Sequence, residues 1–263
     1  MALQNQPVMI HSKRNQLEYA SLKPDGALKD LVESIWMMKY YTDETEGSII
    51  VPDGKIDVAL LLLEDGSFEI FISGIFTGPI IKPPFPKSTM CVMSFHPIAA
   101  EYIFKQSFAD LKNNRQKLPI DYWGFCKSDL ADLESFYKKA CDRVGLQLKK
   151  DVDPRKTKLF EIIYSLKGAI TVKKLSEQVG WSSRQINRYF NHWLGVSLKS
   201  YLNIIRFSNS LKQLKNGDFY PELNYGDQSH FIRQVKKFAG VKPTILNKNE
   251  NDRFIQLSMM PEY

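Results

Sequence analysis

Cysteine is scarce: Cys91, Cys126 and Cys141 are an odd number in 263 residues and show no paired spacing. That argues against a disulfide framework and leads us to expect thiols buried as small hydrophobes in a reducing compartment. Long hydrophobic runs are missing too. Stretches such as residues 58–63 fall far short of the roughly 20 residues that cross a bilayer, so no membrane partner is expected. The opening MALQNQPVMIHSKRNQ lacks the apolar core of a signal peptide, which points to the cytoplasm. Histidines are few and scattered (His11, His96, His192 and His230), with neither an HExxH helix nor a CxxC knuckle. His96, which precedes Pro97, reads as a hydrogen-bonded structural histidine in preference to a ligand inside a barrel. There is no GxSxG elbow, phosphate loop or GxGxxG fingerprint, and the carboxylates of the first half form no acid–base pair by motif. The expectation is a protein without metal, cofactor or enzymatic activity.

What is present is a soluble composition, 43% hydrophobic and 25% charged, on a chain long enough for two domains with a core each. Charge is segregated. Residues 154–253 hold 18 Lys and Arg against 7 Asp and Glu, while the remainder holds 18 against 22. A basic half next to an acidic half suggests a polyanionic partner for the former.

The basic half also carries a pattern. In TVKKLSEQVGWSSRQINRYFNHWLG, residues 171–195, Val172, Leu175 and Val179 stripe one helix, and Ile186, Tyr189, Phe190 and Leu194 stripe a second. Gly180 marks the corner between them, and Ser182 followed by Gln185 is a capping box that starts the second helix. Arg184, Asn187 and Arg188 then share the polar edge, with Ser183 at the helix start. An arginine there can bond guanine and an asparagine can pair with adenine.

These residues support a resemblance. Over roughly 159–246 the chain resembles the DNA-binding module of AraC/XylS-type transcription regulators, through Leu175, Ser176, Gly180, Ser182, Ile186, Arg188, Phe190 and Gly195, then Tyr201, Leu202 and Arg206 of a long connecting helix. The stretch DQSHFIRQVKKFAGVKP, residues 227–243, resembles the signature of that family's second helix-turn-helix unit. The resemblance implies double-stranded DNA as a partner and RNA polymerase as a further one, with a small-molecule effector and a homodimer among the open expectations. The expectation is an activator, with a repressor as the open alternative.

One departure stands out. The family places a complete supporting helix before its second recognition helix, whereas KNGDFYPELNYG, residues 215–226, leaves room for one short turn near Glu222 to Asn224, because Pro221 interrupts it. The second unit reads as abbreviated. Its recognition helix still has an N-cap in Asp227 and a core stripe in Phe231, Val235 and Phe238, with Gln228, Ser229 and Arg233 on the reading face and Lys236 and Lys237 towards phosphate. Phe219, Leu223 and Tyr225 are expected to brace it against Phe231 and Val235.

The first half reads as strands at 48–51, 55–63, 68–73 and 90–95, separated by turn signals, with a helix over 27–36 and another over 127–144. The segments VPDGKIDVALLL, FTGPI and SFHPIAAEYIF resemble, more loosely, an N-terminal domain found ahead of AraC-type modules. Asp53 and Gly54 read as a turn. Trp36, Tyr40, Tyr41 and Phe71 read as core before pocket lining, and residues 147–158 as a linker. The expected architecture is α+β: a β-rich barrel- or sandwich-like sensor or dimerisation domain over 1–150, then an all-α DNA-binding domain over 155–253 with two helix-turn-helix units. The rivals are a cupin-like small-molecule-binding or processing protein with a nonspecific basic tail, which needs a ligand cluster, and an interaction protein that has lost DNA binding.

Overall fold

A computed structural model describes residues 8–12, 17–41, 43, 47–84, 86–148, 151–220, 223 and 225–260. Strands β1 (Val8–Ser12), β2 (Leu17–Leu22), β3 (Val32–Tyr40), β5 (Ile56–Leu63), β6 (Phe68–Ser73), β8 (Ser88–Phe95) and β9 (Arg115–Leu118) form one antiparallel sheet in the order β1-β2-β3-β8-β5-β6-β9, and β4 (Ile49–Ile50) pairs with β7 (Ile80–Ile81). Central strand β5 is buried on both faces. Val58 and Leu60 join the main core while Ala59 and Leu61 join a second cluster with Leu17, Met38 and Tyr40, so beyond Asp57 the strand reads as a continuous apolar run. The β-rich first domain followed by a helical one is therefore the architecture of the chain.

The helix expected over residues 27–36 is not there. One 3-10 turn, Gly26–Leu28, leads into β3, which pairs with β2 on one side and β8 on the other. A bulge between Val32 and Ser34 places Val32 and Ile35, three apart, on the same core, and that offset imitates helical spacing. The helix expected over 127–144 is split. A 3-10 turn, Lys127–Leu130, precedes α1 (Leu133–Gln147), which starts where the Asp132 carboxylate accepts from Ser135 N. Its stripe of Leu133, Phe136, Ala140 and Val144 is core. Of the thiols Cys91 is buried, but Cys126 is exposed and Cys141 half-buried, so burial does not hold for all three. Cys126 sits at the exposed cap of the 3-10 turn, bonding Asp129 and Ser128 instead of packing.

The linker is also shorter than expected. Pro154 opens α2 (Pro154–Ser165) with Asp153 as N-cap, and the Asp153 amide donates to the Tyr102 hydroxyl at 3.0 Å. Among the described residues α3 (Val172–Val179), α4 (Ser183–Leu194), α5 (Leu198–Lys215), α6 (Gln228–Ala239) and α7 (Pro243–Lys248) follow. A last short helix, α8 (Ile255–Ser258), returns to the sheet, where Gln256 bonds both backbone groups of Val51 and Ile255 covers the second cluster.

The two halves do not have a core each. One cluster runs from Ile35, Met93 and Phe95 through Phe108 to Phe190, Tyr201 and Phe231. Polar clamps cross the same boundary: Tyr201 donates to Gly54 O at 3.2 Å, Phe108 N to Trp193 O at 2.8 Å, and Lys156 pairs with Glu101 at 2.6 Å. The Asp53–Gly54 turn is thus more than a turn. Asp53 accepts from Lys55 N, Gly54 holds φ +78°, and the loop tip inserts against Tyr201 and Ile205 of α5.

Candidate nucleic-acid interface

The first helix-turn-helix is built by its capping residues. The Thr171 side chain accepts from Lys174 N at the start of α3, Gly180 closes that helix at φ +72°, and Ser182 and Gln185 satisfy each other's amides at the start of α4. Caps of this kind contribute roughly 1 kcal/mol each and fix which residue leads. Leu175 and Val179 of α3, and Ile186, Tyr189, Phe190 and Leu194 of α4, are buried. Burying such side chains contributes roughly 1.5–3 kcal/mol apiece, which makes packing the main force holding α4 at its angle.

That packing turns the other face outward. Arg184 and Arg188 are exposed on the first two turns of α4, and Ser183 is half-buried beside the cap. The two ends of the helix differ. Its C-terminal end is docked on the β-rich half, where Ser107 Oγ donates to His192 O and Phe108 N to Trp193 O. The N-terminal end carries the arginines, and there the helix dipole adds positive potential.

Asn187, expected on the same polar edge, is half-buried and bonded at both ends of its amide. Its Nδ2 donates to Ser183 O at 3.0 Å, and its Oδ1 accepts from Leu198 N at 3.1 Å, the first amide of α5. The amide thus makes one bond within α4 and one that joins α4 to α5. No pattern in the sequence distinguishes this use, because residue 198 lies eleven positions away.

In the second unit Asp227 caps α6 by accepting from His230 N at 2.6 Å, and Phe231, Val235 and Phe238 are buried. Gln228, Ser229, Arg233, Lys236 and Lys237 are exposed, and the Lys237 ammonium also lies 5.1 Å from the Phe238 ring centroid. Among the described residues no helix stands between α5 and α6. Pro221, Glu222 and Asn224, where the short turn was expected, lie outside the described residues. Tyr225 does brace α6, its ring 4.9 Å from Phe231 and edge-on, while Phe219 packs on the core and Leu223 is half-buried. Arg206 of α5 completes the brace, its guanidinium 5.4 Å from the Tyr225 ring and bonded to Gly168 O. At the far end Asn247 of α7 bonds the carbonyls of Leu214 and Lys215, tying α7 to the end of α5.

Two exposed, capped helix starts, those of α4 and α6, thus stand in the helical half, with basic side chains on their outer faces. Residues 175–249 match the family described as a helix-turn-helix domain, and residues 20–117 match a domain of unknown function, DUF6597. The chain carries an AraC-type helix-turn-helix domain behind a DUF6597 domain, the make-up of a DNA-binding transcription regulator. Solved structures similar to it include ToxT from Vibrio cholerae O395, 12% identical with a TM-score of 0.42, covering 96% of this chain and 100% of that one. A second structure of ToxT from Vibrio cholerae is 12% identical with a TM-score of 0.41, covering 94% and 99%. No curated protein matches the chain. Among the described residues no helix is long and apolar enough to cross a membrane.

Proposed function

We propose that residues 155–253 bind duplex DNA with α4 as the principal reading helix, Arg184 and Arg188 meeting base edges and Ser183 the backbone beside them. One observation carries this most directly: the N-terminal half of α4 holds both arginines exposed on a capped helix start, while its C-terminal half is fixed to the rest of the protein. A helix entering the major groove by its N-terminal residues needs that arrangement. Asn187 acts as a positioning residue that sets the angle between α4 and α5. In α6, Gln228, Ser229 and Arg233 supply a weaker second reading face, and Lys236 and Lys237 contact phosphate. Residues 1–150 serve as a sensor or dimerisation domain, and because they share a core with the helices, what they bind reaches the DNA face through packing. RNA polymerase and a homodimer partner belong to this reading, as does the cytoplasm as its place of action. Fluorescence anisotropy of the full chain on a random duplex pool tests it. Affinity should fall with salt at a slope of roughly −0.9 per phosphate contacted, and an absence of salt-sensitive binding defeats it.

A cupin-like small-molecule-processing barrel has less support. It calls for a ligand cluster, and among the described residues no group of three or more His, Cys, Asp or Glu side chains is placed to hold a metal ion.

A further inference from the structure

Both reading helices end on a left-handed glycine, Gly195 after α4 at φ +67° and Gly240 after α6 at φ +75°. Each of these ends is covered by the β-rich half. At α4, Ser107 Oγ donates to His192 O and Phe108 N to Trp193 O at 2.8 Å, so two carbonyls of the last turn, which have no partner within the helix, find one across the boundary. Ala109 follows so closely that a Cβ on Gly195 would lie 2.7 Å from Ala109 O. At α6 the contact is one of van der Waals packing: a Cβ on Gly240 would lie 3.5 Å from Pro79 Cγ, and one on Gly78 would lie 3.9 Å from Lys237 O.

The two covering segments are one tied piece. β6 and β9 pair as far as Ser73 and Arg115, and the ladder runs on past their ends, Gly74 N donating to Asn114 O at 3.1 Å and Asn113 N to Ile75 O at 3.0 Å. Asn113 then fastens the next step with its side chain: its Oδ1 accepts from Thr77 N at 2.7 Å and from Thr77 Oγ1 at 3.0 Å. Beyond this tie the two chain segments part. Residues 78–79 lead to the end of α6, and residues 107–112 lead to the end of α4. Asn113 holds φ +59°, a conformation that asparagine accepts more readily than most residues. It is exposed, so the tie lies outside the core.

α5 is one bridge between the two units, through the Asn187 bond to its first amide and through the Phe207 ring, 5.1 Å from that of Phe238. The tied segments form a second bridge on the β-rich side, and the two bridges close a ring that contains both reading helices. We propose that Asn113 is a positioning residue of this ring: through Thr77 it holds the 78–79 arm against the end of α6 and so fixes where the second reading helix stands relative to the first. The α4 arm has hydrogen bonds of its own, whereas the α6 arm is a loop tip held by packing, so the tie matters most for α6. The consequence for DNA rests on the reading above, in which Lys236 and Lys237 meet phosphate. The placement itself is measured without DNA, so the two can fail separately.

The test is hydrogen exchange by mass spectrometry on the full chain without DNA, followed by anisotropy on the preferred duplex. Asn113→Gly removes the side chain and tolerates the same backbone conformation, whereas Asn113→Asp keeps an acceptor oxygen for Thr77. In Asn113→Gly, exchange over residues 236–243 should speed roughly fivefold, the equivalent of one net hydrogen bond, with residues 183–195 unchanged, and Asn113→Asp should match the parent. Pro79→Ala, which trims the atom on Gly240 and leaves the tie, should also speed exchange there. On DNA, Asn113→Gly should bind roughly fivefold more weakly with the same preferred sequence, and that loss should disappear in a background carrying Lys236→Ala and Lys237→Ala. The proposal is overturned if exchange over 236–243 stays at the parent rate in Asn113→Gly or Pro79→Ala, if it rises alike in α4, α5 and α6, if Asn113→Asp behaves as Asn113→Gly does, or if the loss of affinity is the same with and without the two lysines.

Discussion

Gly54→Ala is the sharpest perturbation of the junction between the two halves. Gly54 holds φ +78°, and a Cβ there would lie 2.9 Å from Ile205 Cδ1 and 3.0 Å from Tyr201 Cε2. An alanine in the left-handed region costs about 1–2 kcal/mol, and forcing a methyl group into a packed interface costs about 1–3 kcal/mol more. The sum, roughly 2–5 kcal/mol, corresponds to a Tm fall of at least about 4 °C in a protein of this size. Differential scanning calorimetry measures it. Ile205→Val supplies a cross-check, because it removes the Cδ1 atom that the new methyl group meets. On its own that change costs about 0.5–1.5 kcal/mol, but in the Gly54→Ala background it should cost less or stabilise. An unchanged Tm in Gly54→Ala, or strict additivity of the two substitutions, refutes the claim that the turn is wedged against α5.

Further expectations follow from the same geometry. Arg188→Ala should cost specific DNA binding about 1–3 kcal/mol with a much smaller loss on random duplex, whereas Lys237→Ala should weaken every sequence alike; competition anisotropy separates the two, and equal losses for Arg188→Ala remove it from the reading face. Asn187→Ala should lower stability by about 1–3 kcal/mol, because it leaves the Leu198 amide without its acceptor, and should weaken DNA binding without altering the preferred sequence; a changed preference in selection from a random pool shows that the asparagine reads bases after all. Burial, followed by the charge of Asp53, pushes the Asp57 carboxyl up to about 7 from an ordinary 3.8, so the folded state holds a proton that the unfolded chain releases earlier. Its contribution to stability is therefore lost as pH rises from about 4 through about 7. Asp57→Asn keeps an acceptor for Ser94 and should gain stability relative to the parent between pH 5 and pH 8; denaturation curves that stay parallel across that range count against the buried charge.

The helical half was legible because its signals are local. Ser182, Gln185, Gly180 and Asp227 act within four residues of themselves, and an i, i+3, i+4 stripe is written in consecutive letters, so helix starts, the corner and the outward face could all be placed. The four strands between residues 48 and 95 were legible for a similar reason, bounded by turn signals. β3 was not. Its apparent helical spacing comes from a bulge, which exists only through pairing with β8. Asn187 could be put on the correct edge of α4 but not given its bond to α5, and Lys55 is set among Glu33, Asp53, His96 and Tyr164, which no spacing rule connects. The shared core was hidden as well: the length of the chain suggested two domains with a core each, while Gly54 and Tyr201 meet across 147 positions of chain.

The central claim is that α4, through Arg184 and Arg188, chooses the DNA sequence. Selection of bound sites from a random duplex pool by the full chain, repeated with Arg184→Ala, Arg188→Ala and Arg233→Ala, tests it directly. The account predicts one strongly informative block whose bases change with the first two substitutions, and a loss of affinity with little change of sequence for the third. Two equally informative blocks about 10 base pairs apart, one helical turn, with the second altered by Arg233→Ala, would contradict it.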